Sequence, residues 1–413
     1  MRSKLLMHFM GGGAILFTLV ACGTESEKTP KPIEGCEVSL FPSDDDQINV
    51  QTALIESPEG STICFGKGTF RFAKEISLST NNVIVKGAGR DATILDFTEQ
   101  TVGANGFSIT GDNVTIESLT VLNTPGDGVR ATAVENIAFR NVAVIWEAES
   151  STDNGAYGLY PVESDGVLIE DCVVVGSRDA GIYVGQSKHI LVRNNDVYGN
   201  VAGIEIENSR HAEVVDNHAH DNVAGILVFD LPELPTKHGQ KTKVHNNLVE
   251  NNNLPSFAEP GAIVGKVPPG SGIIILSSDL NEVHDNQITG NDSFGVMVLA
   301  YDTDLFGKYD DEEFDRFAEG NYIHDNTMKN NGTDPKGVIK AFPLPNPMPH
   351  LAWGGCTDDE KDNSDDSLTN CFSNNGDVDF VDFDLCGGFE NQSSDITPLE
   401  CTGESLPSQT GRI

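Results

Sequence analysis

The sequence predicts an all-β chain wound as a single-stranded parallel β-helix of about 22 residues per coil, and three observations carry that expectation. First, "GIYVGQSKHILVRNNDVYGNVA" begins at Gly181, "GIEIENSRHAEVVDNHAHDNVA" at Gly203 and "GILVFD" at Gly225, a period of 22 twice over. Second, each unit divides short alternating runs with Gly, Asn, Asp or Ser, the mark of three brief strands and three turns. Such a unit cannot bury its own apolar face, so units stack around one column of inward side chains. Third, 42 Gly and 20 Phe against 2 Trp favour a turn-rich β protein over a helical bundle.

In chain order, residues 1–21 read as a lipoprotein signal peptide: Arg2 and Lys4 precede an apolar run from Leu5 to Val20, too short to span a bilayer stably, that ends in "LVAC". Cleavage before Cys22 leaves a lipidated N-terminus and a polar linker over 22–35. The membrane contact is then the lipid anchor alone. By resemblance to bacterial sorting rules, Gly23 after Cys22 points to an outer membrane lipoprotein, facing the periplasm or the surface.

The β-helix is expected over 36–340. At its start, Ile48, Val50, Ala53, Leu54 and Ile55 have helical spacing within 46–57, and a short helix there caps the open end of the stack. Ile182, Val184, Ile204, Ile206, Ile226, Val228, Ile273, Ile275, Val296 and Val298 supply the inward column from the first strand of successive coils. Asn195, Asn217, Asn247, Asn286 and Asn326 end the strings "VRNN", "VVDN", "VHNN", "VHDN" and "IHDN", and predict an amide ladder at about 4.8 Å per coil. Cys172 takes that place in an earlier coil, as an inward and inert thiol.

Residues 341–413 lose the repeat and read as a Cys/Asp-rich cap tied by disulfides. Beyond Cys22, seven cysteines in an oxidising compartment fit three bridges and one free thiol. Cys36 and Cys64 pair by proximity. The pairing among Cys356, Cys371, Cys386 and Cys401 stays open.

A net charge of −37, from 26 Lys+Arg and 63 Asp+Glu, excludes nucleic acid as a partner. Insertions at 146–157, 230–241, 252–271 and 300–320 interrupt the period, and loops on a rigid solenoid are where binding is built. Three of them are placed to wall a groove. The period sets Tyr160, Tyr183 and Glu205 in one outward row with Leu227, then Glu207 and Phe229 in the next row with Val162 and Gly185. Glu163, Gln186, Asn208 and Asp230 follow at the strand ends. Aromatic rings beside acids and amides suit sugars, so an extended polysaccharide is the expected ligand. Glu205 and Glu207, two apart, also leave room for a hydrolytic carboxylate pair.

Metal sites are the other candidate. His245, His284 and His324 form an outward row on successive coils, a spacing at which imidazoles can share a Cu or Zn ion, with His218 and His220 one coil away. The acidic stretches 357–367 and 375–384 offer oxygen ligands for Ca2+.

The segment "YGLYPVESDGVLIEDCVV", residues 157–174, resembles the mannuronan epimerase segment Tyr-Gly-Phe/Ile-Asp-Pro-His-Asp/Glu, with Tyr157, Gly158, Pro161 and Glu163 matching. Tyr160 stands in place of the Asp and Val162 in place of the His, so no catalytic residue is carried over. "DAGIYVGQS", "AGIEIENS", "GILVFDLPELP" and "FAEPGAIVGKVPPGSG" resemble exported bacterial parallel β-helix repeat proteins, often lipoproteins, with the right-handed pectin-lyase-like fold. That resemblance implies a co-encoded exported partner. It extends more distantly to copper-handling and carbohydrate-binding β-helices. The expectation is therefore a lipid-anchored right-handed β-helix that binds a polysaccharide. A carbohydrate-active enzyme (lyase, epimerase or glycosidase) and a metal-handling or scaffold protein are the alternatives.

Overall fold

Strand Ala180–Gly185 lies parallel to Ala202–Glu207, which lies parallel to Ala224–Phe229, and the register joins Ile182 to Ile204 to Ile226. The same row runs back through Leu159, Val129 and Phe107 to Ile76, and forward through Ile273, Val296 and Leu351 to Phe380. Among the described residues eleven strands make this sheet, and a second sheet of 20 strands closes the other sides of each coil. The result is a right-handed parallel β-solenoid of about 13 turns. The computed structural model describes residues 31–148, 150–358 and 368–409, and Pro32–Ile413 form one compact unit. The leader, Cys22 and the linker up to residue 30 lie outside the described residues. Among those described, no helix is long and apolar enough to cross a membrane.

Every residue of the Ile76 to Phe380 row is buried, as is the whole predicted inward column. Each such side chain contributes ~1.5–3 kcal/mol relative to exposure, so the stack is held by its continuous apolar centre. Glycine recurs at the coil start for a steric reason. A Cβ at Gly203 would sit 2.7 Å from the carbonyl oxygen of Gly225, and one at Gly225 would sit 2.6 Å from that of Gly272.

The asparagine ladder forms as expected. Asn195 Nδ2 donates to Asn217 Oδ1, Asn217 to Asn247, Asn247 to Asn286 and Asn286 to Asn326, each at 2.9 Å. The residue before each, Asn194, Asp216, Asn246, Asp285 or Asp325, has φ between 52° and 55°. Asn and Asp tolerate that left-handed conformation best, which explains the repeated "NN" and "DN" pairs. Cys172 sits at the head of this ladder, where its backbone N–H donates to Asn195 Oδ1 at 2.9 Å. It is the one free cysteine among the described residues, fully buried, and burial pushes its thiol up to about 12. A second ladder, Asn200, Asn222, Asn252, Asn291 and Asn331, runs beside the first with amide contacts of 2.9 to 3.1 Å.

The capping helix spans Asp46–Glu56 and buries Val50 and Leu54, whereas Ile48 and Ile55 are 65% and 68% exposed. At about 100° per residue, the two isoleucines fall opposite Val50 and Leu54, so only part of the expected apolar set faces the coil. Asp46 fixes the helix start by accepting from the backbone N–H of Ser43 at 2.7 Å and of Arg71 at 2.9 Å.

The solenoid does not stop at residue 340. Leu351–Trp353 and Phe380–Asp382 extend the first sheet, Cys371–Ser373 extends the second, and Asn326 passes its ladder to Asn375 at 3.0 Å. Long insertions hide the period here, with 49 residues separating Asn326 from Asn375. The bridges are Cys36–Cys64, Cys356–Cys386 and Cys371–Cys401.

Candidate functional site

The first strand of each coil alternates, so the neighbours of the inward Ile182, Ile204, Ile226, Ile273 and Val296 face the loops. Tyr183, Glu205, Leu227, Ile274 and Met297 align in one outward row. Gly185, Glu207, Phe229, Leu276 and Leu299 align in the next. The sequence predicts an open groove here, and the structure instead lays the loops onto the face. Leu231, Phe257, Val264 and Val267 from the loops join Leu227, Phe229, Ile274 and Leu276 in a second apolar core outside the solenoid. The loops also clasp one another: the backbone N–H of Glu233 donates to Asp311 at 2.6 Å, Lys237 pairs with Asp311, and Lys266 donates to the carbonyl of Phe306 at 2.7 Å.

That cover changes the standing of the predicted site residues. Glu205 and Glu207 are only 3% and 7% exposed, and Tyr183, Asn208, Phe229 and Asp230 are also buried. Asn208 is spent on the loop base: its amide donates to the carbonyls of Leu231 and Thr236 at 2.9 Å and accepts from Leu231 N–H at 2.8 Å. Asp230 Oδ1 accepts from Gly239 N–H at 2.9 Å, and its Oδ2 is buried without a partner. Tyr160 is half-buried and Glu163 exposed. Glu163 and Gln186 line a polar cleft at the strand ends together with Asp165, Lys188, Arg210 and Lys237.

The open end of the face is a knot of tyrosines and acids. Tyr157, Tyr160 and Tyr183 pack mutually with ring centroids 4.5 to 4.9 Å apart, and the Arg130 guanidinium lies 4.8 Å over the Tyr160 ring. Tyr183 Oη donates to Glu207 Oε1 at 2.5 Å. Burial, followed by the Glu207 charge, pushes Glu205 well up, and burial raises Glu207 as well, although its contact with Tyr183 pulls it down. Burial, with the Glu207 charge, takes Asp179 up to about 7, although Tyr157 and Arg178 pull it down. Burial takes Asp127 up to about 6 against the pull of Arg130, and Asp230 up to about 7. Chemically, this is a patch of carboxyls that burial raises above their ordinary range, set beside aromatic rings.

Sequence reasoning missed Asp127, Arg130, Tyr157 as a site residue, Arg178 and Asp179. Their signal was present in "GDGVR" and "SRDAGIY", where an acid precedes the glycine that starts a coil. It also missed an apolar cavity of about 350 Å³ further along the face, lined by Phe229, Ile274, Leu276, Met297, Phe306 and Phe342 among others. The strands "GIIIL" and "GVMVL" announce it, because runs apolar on both faces are buried on both.

The predicted histidine row exists. His245, His284 and His324 stack with centroids 4.9 and 5.0 Å apart and planes 7° apart. Their carboxylate partners are Glu213 for His245, Asp285 for His284, and Glu282 and Asp325 for His324. The C-terminal segment crosses this flank, where Leu406 N–H donates to Glu282 at 2.8 Å and Gln409 N–H to Glu213 at 2.6 Å. Of the two acidic stretches, residues 359–367 lie outside the described residues. In the other, Asp379 accepts from His350 N–H, Asp382 from Asp384 N–H and Asp384 from Asn391 N–H, each with one carboxylate oxygen.

Residues 105–264 match the family model of the right-handed β-helix region. The β-helix here shares its fold with the A-module of a mannuronan C-5 epimerase from Azotobacter vinelandii, at a TM-score of 0.50 and 17% identity over 82% of this chain and 92% of that one. A second epimerase A-module from Azotobacter vinelandii aligns at 0.48 and 15% identity over 81% and 91%. An alginate lyase from Paenibacillus aligns at 0.43 and 14% identity over 71% and 96%. No curated protein sequence matches the chain.

Proposed function

We propose that the protein is an envelope-anchored β-helix that binds a polysaccharide across the Tyr157, Tyr160 and Tyr183 face and the polar cleft beside it. The observation that carries this reading is the three-tyrosine cluster set against carboxyls that keep their protons near neutrality. A ring of Tyr160 offers a stacking surface for the apolar side of a sugar, and a protonated carboxyl donates to sugar oxygens. Protonation also matters at long range, since a chain of net charge −37 would otherwise repel acidic polymers at this face. Glu163 and Gln186 in the cleft extend the contact to a neighbouring sugar unit. The anchor part of the proposal rests on Cys22 and the leader that precedes it.

A glycan array tests the reading. Binding to at least one polysaccharide is expected, weakened about 3- to 10-fold by Tyr160→Ala, the magnitude of one lost aromatic contact. Silence across the array would remove it. A second reading, catalysis on the same polymer, is favoured by the Tyr157–Asp179 contact and by the raised carboxyls of Glu205 and Glu207, because such groups can move a proton. Its products are visible as new ultraviolet absorbance for elimination, an altered epimer by NMR, or new reducing ends for hydrolysis.

A further inference from the structure

On the second sheet, strands Asp196–Tyr198, His218–His220 and Leu248–Glu250 stack in register, pairing Asp196 with His218 and Tyr198 with His220 and then Glu250. The two-residue period turns Ala219 inward, where it is fully buried, and leaves both histidines on the outer side of one strand. Their rings lie 4.0 Å apart between centroids. Asp196 Oδ1, from the coil below, is 3.0 Å from His220 Nε2 and 3.6 Å from His218 Nδ1. One ligand atom from each of the three residues falls within 4.8 Å of the others.

The far nitrogens decide what the near ones do. His220 Nδ1 is 2.7 Å from Asp221 Oδ2, and His218 Nε2 is 3.1 Å from Glu250 Oε1. In the tautomer that places each ring's N–H on the nitrogen facing its outer carboxylate, His220 Nε2 and His218 Nδ1 turn lone pairs towards Asp196. A lone pair and a carboxylate oxygen 3.0 Å apart repel unless a proton or a cation lies between them. The same outer carboxylates fix ring orientation and raise ligand basicity in histidine metal sites. An ion about 2.0–2.1 Å from each donor in tetrahedral geometry separates the donors by about 3.3 Å, between the two distances measured to Asp196.

We infer that Asp196, His218 and His220 bind one divalent transition-metal ion, with Asp221 and Glu250 as positioning residues. Two imidazoles and one carboxylate select an ion of the Zn2+ class over Ca2+ or Mg2+, which take oxygen ligands. Three protein ligands on a partly exposed strand leave the fourth position to water. The His245, His284 and His324 row differs: among the described residues, only Asp196, His218 and His220 bring three such ligand atoms within 4.8 Å of one another.

Calorimetric titration of the full chain, stripped with chelator and then given ZnCl2, tests the site. One ion per chain is expected with a dissociation constant below about 1 µM, and no heat with CaCl2. His220→Ala should weaken binding by more than about 100-fold, and Asp221→Asn by about 10- to 100-fold with the stoichiometry kept. Zinc should raise the unfolding midpoint of the parent protein and leave that of His220→Ala unmoved. His284→Ala should bind as the parent does. Absent binding, binding indifferent to both His220→Ala and Asp221→Asn, or binding lost in His284→Ala instead would each overturn the assignment. Should His220→Ala fail to fold, Asp221→Asn decides alone, because it keeps both ligating histidines.

Discussion

One outward face carries two regions of opposite character on the same backbone. Towards the N-terminal end its positions are Tyr160, Tyr183, Glu205 and Glu207. One coil later they are Leu227 and Phe229, then Ile274, Leu276, Met297 and Leu299. Glu205 and Leu227 are direct ladder partners, so the change happens within one coil spacing of about 4.8 Å. The acidic region keeps protons and hydrogen bonds, and the apolar region surrounds a cavity of about 350 Å³. Stacking fixes where a side chain points, while residue type alone decides whether that place holds a proton donor or a dry surface.

The largest effect comes from moving the boundary. Leu227→Glu would bury a charge among Phe229, Ile274 and loop side chains, and should destabilise by about 3–5 kcal/mol at pH 8 in denaturant unfolding. A cost under about 1 kcal/mol would show that the loops open readily and that the two regions differ less than their burial suggests.

Next in size is the pH response of the acidic region. Asp127, Asp179 and Asp230 hold protons in the folded protein up to about 6, about 7 and about 7, whereas the unfolded chain releases them near about 4. The folded state thus binds more protons between these limits, and stability should fall as pH rises from about 4 to about 7. Below that window Glu213 and Glu282, held low mainly by hydrogen bonds that outweigh burial, reverse the trend, and stability should fall as pH drops. Asp230→Asn should flatten the upper slope and raise stability at pH 8 by roughly 1–3 kcal/mol, read from unfolding curves at several pH values.

The smallest change is expected for Glu205→Leu, which extends the apolar region by one coil. Replacing a buried acid whose carboxyl burial pushes well up with an apolar residue of similar size should alter stability by less than about 1 kcal/mol at pH 7. A loss above about 3 kcal/mol would mean that the Glu205–Glu207 pair holds the face together rather than serving a ligand.

The fold was legible because a period is a global signal. Gly181, Gly203 and Gly225 mark equivalent places, and the Ile182 to Ile226 column follows from strand alternation alone. The site was half legible. The period sets Tyr183, Glu205 and Glu207 on the outward face that the register gives them, but their cover by the loops depends on Phe257, Val264 and Val267, which have no period. Asp127 and Asp179 act through burial at coil starts, and burial beneath an aperiodic loop is not written in local spacing. The same reason hid the coils beyond residue 340, where insertions break the count while the asparagines keep their places.

Those asparagines have an engineering consequence. The sequence distance between successive rungs grows from 22 to 30, 39, 40 and 49 residues, yet the amide contact stays between 2.9 and 3.0 Å. The spine therefore does not register how much chain is looped out between rungs. Loop length on this solenoid is free so far as the spine is concerned: a segment of another length should leave the rack unaltered, provided it still covers Leu227, Phe229, Ile274 and Leu276.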